Sequence, residues 1–217
     1  LQGILTQVYA WMVAGLLSTG AIAAFVAHTP LGAMLASVPL LYFGLLIGEL
    51  VLVWVLSANI MKMSGSMATG MFLLYSALNG LTLSIIFLAY TNASLALTFF
   101  VTAGTFGAMS LYGYFTKRNL DGIGNLLMMG LIGFLLASVV NLFLRNEAIY
   151  WITTYLGILI FVGLTAWNTQ KIKQMAARVS TSDENMVRRV AIMGALMLYL
   201  DFINLFLLLL RILGDRR

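Results

Sequence analysis

Long apolar runs alternate with short polar interruptions along almost the whole chain. Seven such segments cover residues 6–28, 39–60, 68–90, 93–116, 122–144, 148–170 and 186–212. A helix that crosses a bilayer needs about 20 predominantly apolar residues. Buried soluble strands are much shorter, and barrel strands alternate in and out over about ten residues; residues 131–144 and 205–210 do not alternate. The pattern predicts an all-α, polytopic membrane protein with seven transmembrane helices, organised as one domain over residues 1–217.

The interruptions have their own chemistry. His28-Thr29-Pro30 is expected to close the first helix, and Pro39 suits the first turn of the second. Met63-Ser64-Gly65-Ser66 reads as a polar turn, Thr91-Asn92 as an uncharged one, and residues 116–122 as a charged one. Thr181 with Glu184 three positions later forms a capping-box pattern that would start the last helix. The first segment lacks a basic leader, so a cleaved signal peptide is not expected.

Composition strengthens the membrane assignment. Only 9% of the 217 residues are charged and 62% are hydrophobic, whereas a soluble domain carries about 25% charge. Without cysteine, disulfides, thiolate catalysis and Cys-ligated zinc or iron–sulfur centres are excluded. The single histidine, His28, cannot build a multi-His metal site. The net charge of +5 comes from basic residues scattered singly or in twos between apolar runs, with no basic stripe suited to nucleic acid.

Those basic residues report orientation instead. One side of the membrane receives Lys62, Lys117, Arg118, Lys171, Lys173, Arg178, Arg188 and Arg189. The other receives Arg145, Arg211, Arg216 and Arg217. Eight against four places the N-terminus in the cytoplasm.

Ionisable groups inside spans cost about 2.5–3.5 kcal/mol each on insertion scales, so they are functional candidates by default. Glu49 lies midway between Pro39 and Lys62, and Asp201 midway between Arg189 and Arg211. Asn204 follows Asp201 by three residues and shares its helix face. A hairpin turning within the polar stretch 180–185 would bring Asn168, at the end of the sixth segment, to the depth of Asp201. Further expectations concern packing: Gly44 and Gly48 as a close helix approach, Asn79 and Asn141 as interhelical hydrogen bonds, and Met61, Met63, Met67 and Met71 as gap fillers.

Three stretches resemble the Bax inhibitor family, the transmembrane Bax inhibitor motif proteins. They are Phe161-Val162-Gly163-Leu164-Thr165-Ala166-Trp167-Asn168-Thr169-Gln170-Lys171-Ile172, Leu198-Tyr199-Leu200-Asp201-Phe202-Ile203-Asn204-Leu205-Phe206, and Thr105-Phe106-Gly107-Ala108-Met109-Ser110-Leu111-Tyr112-Gly113. The resemblance covers essentially the whole length and is strongest to bacterial inner-membrane members. It implies seven helices with the last surrounded by the other six, and a pH-sensitive calcium leak. In the family, an aspartate on each of the last two helices forms a hydrogen-bonded pair that controls the pore. Asp201 matches the second aspartate; Asn168 stands where the family has the first, and Trp167 replaces the usual tyrosine.

The substitution has a physical meaning. Two carboxylates in contact share a proton, because both cannot ionise cheaply. Asparagine donates a hydrogen bond but never titrates, so proton control is expected to be weakened or shifted. Asp201 and Asn168 are the gating candidates, with Glu49 and Asn204 along the ion path. Tightly held calcium takes six to eight oxygen ligands, so Asp201 and Glu49 are expected to offer only weak, transient calcium contacts. No cofactor is expected, and the expected partners are the lipid bilayer and calcium ions, with the chain a monomer.

Two other function classes make demands on the same residues. Intramembrane proteolysis would need a serine–histidine pair, a His-Glu-x-x-His motif or two facing aspartates. The chain offers none of these in a span, and Gly122-Ile123-Gly124-Asn125 has asparagine where an acid would be required. The chain is therefore expected not to be an enzyme. A non-transporting regulator that binds a membrane protease or another channel remains the alternative.

Overall fold

The computed structural model describes residues 2–179 and 182–216, which fold into eight helices. They are α1 (Gln2–Ala27), α2 (Pro30–Ser37), α3 (Pro39–Asn59), α4 (Gly65–Ala89), α5 (Asn92–Phe115), α6 (Asp121–Leu144), α7 (Glu147–Ala177) and α8 (Glu184–Leu213). All except α2 are long and apolar enough to cross a membrane. No strand forms among the described residues, where β pairing is limited to an isolated antiparallel bridge between Tyr90 and Arg216. The seven expected spans are all present.

The short α2 was not expected. Pro30 does more than close α1: it sits in the first turn of a new helix after an extended Thr29. Val38, also extended and placed before Pro39, ends α2 and starts α3. Helix α7 runs past the predicted end at residue 170, because Gln170, Lys171 and Lys173 continue the helix after the apolar run has finished. Asp183 caps α8 by accepting the Met186 amide at 3.0 Å. Thr181, to which a capping box had been assigned, lies outside the described residues.

Packing divides the described residues into two units, the first within Leu1–Asn92, Gln174–Tyr199 and Asp215–Arg217, the second within Ala93–Lys173 and Leu200–Gly214. In the first, α1 lies along α4. Small residues permit this approach: a Cβ at Gly15 would reach 2.7 Å from the Phe72 ring, and one at Gly80 would reach 2.8 Å from the Thr19 carbonyl. Gly44 and Gly48 do not serve this purpose, since a Cβ at either would meet open space. Helix α3 buries only Glu49 and Leu56.

The second unit is built on a core of Leu120, Ile160, Phe161, Leu164, Trp167, Leu205 and Leu208. Phe202 packs between Phe99 and Phe106, with ring centroids 5.7 and 5.5 Å away. Of the seven long helices, α8 has the largest buried share of its apolar window, 61%, and α6 has none. Helix α6 leaves most of its side chains exposed and packs Leu127, Leu131 and Phe134 against the core, whereas α8 is the span most shielded by protein. Met61 and Met67 are exposed rather than gap fillers.

Candidate functional site

The second unit brings Asn168 and Asp201 together. Asn168 Nδ2 donates to Asp201 Oδ2 at 2.7 Å, linking α7 to α8, and both residues are buried. The three stretches of family resemblance meet around this contact. From α5, Phe106 packs on Phe202, the Ser110 hydroxyl lies 3.0 Å from that of Thr169, and Gly113 lets the Ala166 carbonyl approach where a Cβ would collide with it.

The residues following Asn168 fasten the end of α7. Gln170 Oε1 accepts the Leu120 amide at 2.9 Å, while its Nε2 donates to the Arg118 carbonyl at 2.8 Å. Lys173 Nζ donates to the Tyr114 carbonyl at 2.7 Å and lies over the Tyr114 ring. Trp167 Nε1 donates to Asp121 Oδ1 at 3.0 Å, Lys171 covers its indole ring at 4.9 Å, and Gly124 leaves room for that ring. Sequence reasoning missed these attachments. The available signal was a dense run of polar residues, 165–173, at the end of an otherwise apolar helix.

Asn204 does not join the pair. Its Nδ2 donates to the Leu200 carbonyl one turn earlier in its own helix, at 2.8 Å. Asn141 also bonds locally: its Oδ1 accepts the Asn146 amide at 2.9 Å, so the expected interhelical bond is absent.

Glu49 belongs to the first unit. Its Oε1 accepts from Thr82 Oγ1 at 2.9 Å, so the one acidic group of α3 is held against α4. A turn away on α4, Asn79 does make an interhelical bond, donating to the Tyr199 hydroxyl at 3.0 Å. Tyr199 OH in turn lies 2.6 Å from Thr19 Oγ1, and Thr19 donates to the Ser76 carbonyl at 2.8 Å. This hydroxyl–amide network was not visible in the spacing of the sequence.

No group of three or more acidic or imidazole side chains gathers among the described residues. Asp201 and Glu49 each stand as a single carboxylate, Asp201 beside the Asn168 amide and Glu49 beside the Thr82 hydroxyl.

Comparison with known proteins covers the full chain. Residues 1–217 match the family model described as Inhibitor of apoptosis-promoting Bax1. The inner membrane protein YbhL of Escherichia coli K12 is 55% identical over 218 residues, a match that covers 100% of this chain and 93% of that protein. An uncharacterised protein of Borreliella burgdorferi is 42% identical, with 98% of this chain and 92% of that protein covered. Another, from Rickettsia prowazekii, is 49% identical over 156 residues, or 72% of this chain and 65% of that protein.

Proposed function

The chain belongs to the Bax inhibitor family, and from that premise we propose that it is a calcium leak channel of the bacterial inner membrane, gated where Asn168 meets Asp201. The observation that supports this most is the buried 2.7 Å hydrogen bond between α7 and α8, at the position of the family's aspartate pair. A single side-chain bond between two spans can be made and broken at modest cost, on the order of 1 kcal/mol, which suits a gate.

Asn168 sets the character of that gate. Its amide supplies the hydrogen that a protonated carboxylic acid would otherwise supply, and it does so at every pH. We therefore propose that the channel responds to pH less steeply than a two-aspartate relative, with Asp201 as the one titrating member of the pair. The positive-inside count further supports a cytoplasmic N-terminus. The reading is of a monomeric conductor without a resident cofactor, not of an enzyme.

Calcium flux into liposomes, measured against pH for the native chain, Asn168→Asp and Asp201→Ala, tests the proposal. Asn168→Asp should steepen the pH response, and Asp201→Ala should change flux or its gating. Identical flux from native chain and Asp201→Ala at every pH would remove Asp201 from the gate.

A further inference from the structure

A second site lies in the first unit, between the opening turns of α1 and α8. One face of α1, presenting Gly3, Ile4, Gln7 and Trp11, and one face of α8, presenting Glu184, Val187 and Arg188, line an open cavity of about 610 Å³. That volume lies within the usual range for small-ligand sites, roughly 300–1,000 Å³. The lining is amphipathic. Ile4 and Val187 belong to an apolar cluster with Ala176 and Val190, whereas Gln7, Glu184 and Arg188 are exposed. The Arg188 guanidinium lies 6.0 Å from the centre of the Trp11 ring, and its aliphatic stem fills space left by Gly65, so the charged head is steadied at the cavity wall.

We propose that this cavity binds the headgroup of a zwitterionic phospholipid bearing a primary ammonium, of the phosphoethanolamine type. The order of charges along α8 selects this chemistry. Helix α8 starts at Glu184 and runs into its apolar span, so Arg188 lies one turn, roughly 5.4 Å, deeper than Glu184. A phospholipid in the adjoining leaflet has its phosphate deeper and its ammonium nearer water. Arg188 and the Gln7 amide meet the phosphate, and the Glu184 carboxylate meets the ammonium. Trp11, about one turn further along α1 than Gln7, has the amphipathic character of an interfacial anchor and meets the start of the acyl chains. A glycerol headgroup would put no cation beside Glu184, so phosphatidylglycerol is the disfavoured lipid.

Short-chain phosphatidylethanolamine and phosphatidylglycerol, titrated onto the purified full chain in detergent and followed by native mass spectrometry and melting temperature, test the assignment. The native chain should bind phosphatidylethanolamine about tenfold tighter, the scale of one charge-assisted hydrogen bond. Glu184→Gln, an exposed and nearly isosteric change, should bring the two lipids to parity, and Arg188→Gln should weaken both. Equal binding by the native chain, or a preference unchanged in Glu184→Gln, overturns the proposal even if Arg188→Gln fails to fold. Water-soluble phosphoethanolamine should compete poorly. If it matches the lipid, the acyl chains contribute nothing to binding and the membrane-lipid assignment falls.

Discussion

The hydroxyl of Tyr199 on α8 donates to Oγ1 of Thr19 on α1 across 2.6 Å, because Thr19 already directs its own hydrogen at the Ser76 carbonyl. The same tyrosine oxygen accepts from Asn79, so one atom satisfies groups on two other helices. Tyr199→Phe would strand the Asn79 amide and remove one donor from Thr19. Stranding a buried polar group costs about 1–3 kcal/mol, and a lower melting temperature in detergent should report it. Asn79→Ala combined with Tyr199→Phe should cost less than the two changes summed.

Glu49 offers a cleaner separation of charge from packing. In Glu49→Gln the side-chain oxygen can still accept from Thr82, as Oε1 does at 2.9 Å. The melting temperature should therefore stay close to that of the native chain. If the carboxylate lies on the ion path, calcium flux into liposomes should fall several-fold in this variant. Unchanged flux would confine Glu49 to holding α3 against α4.

Gly124 and Trp167 should behave as one unit. A Cβ at position 124 falls on the indole, so Gly124→Ala must displace a ring that belongs to the core. Overpacking of this kind costs about 1–3 kcal/mol. Trp167→Ala should lose the bond to Asp121 yet remove the ring atoms that collide, making the double variant more stable than additivity predicts. Melting curves of the four proteins provide the check.

Gln170 recognises both a peptide N–H and a peptide C=O in the turn between α5 and α6. Gln170→Glu keeps the acceptor for Leu120 but presents a second acceptor to the Arg118 carbonyl. Amide hydrogen exchange at residues 118–120 should speed up more than about fivefold, as expected from losing roughly 1 kcal/mol of local stability. Exchange in the middle of α7 should change little.

Reporter fusions can check the orientation drawn from the lysine and arginine count. A reporter placed after residue 63 or 118 should read as cytoplasmic, and one placed after residue 91 or 146 as external. The opposite pattern would invert the chain.

The sequence made the spans legible because their length is dictated by the bilayer, a constraint that needs no tertiary information. It also placed Asn168 near Asp201, because two helices joined by a short turn must fold back about its middle. Other features depended on which helix faces turn inward. Gly44 and Gly48 have the spacing of a packing motif yet face open space, while Gly15 and Gly80, eye-catching in no motif, let α1 lie close against α4. Hydropathy distinguishes apolar from polar residues but not lipid from protein, so an apolar helix does not announce its inner face. Asn141 and Asn204 show the same limit for polar groups, each bonding locally instead of across helices.

Consecutive residues near the end of α7 are each attached to a different partner: Trp167 to α6, Asn168 to α8, Thr169 to α5 and Gln170 to the α5–α6 turn. A rotation or slide of α7 by one residue would break all four attachments together. The helix thus has a single keyed position, and release of Asn168 from Asp201 becomes an all-or-none event instead of a graded loosening. Under the proposed channel function, single-channel records should accordingly show abrupt steps between discrete levels, and these should become graded when Trp167, Thr169 and Gln170 are detached together.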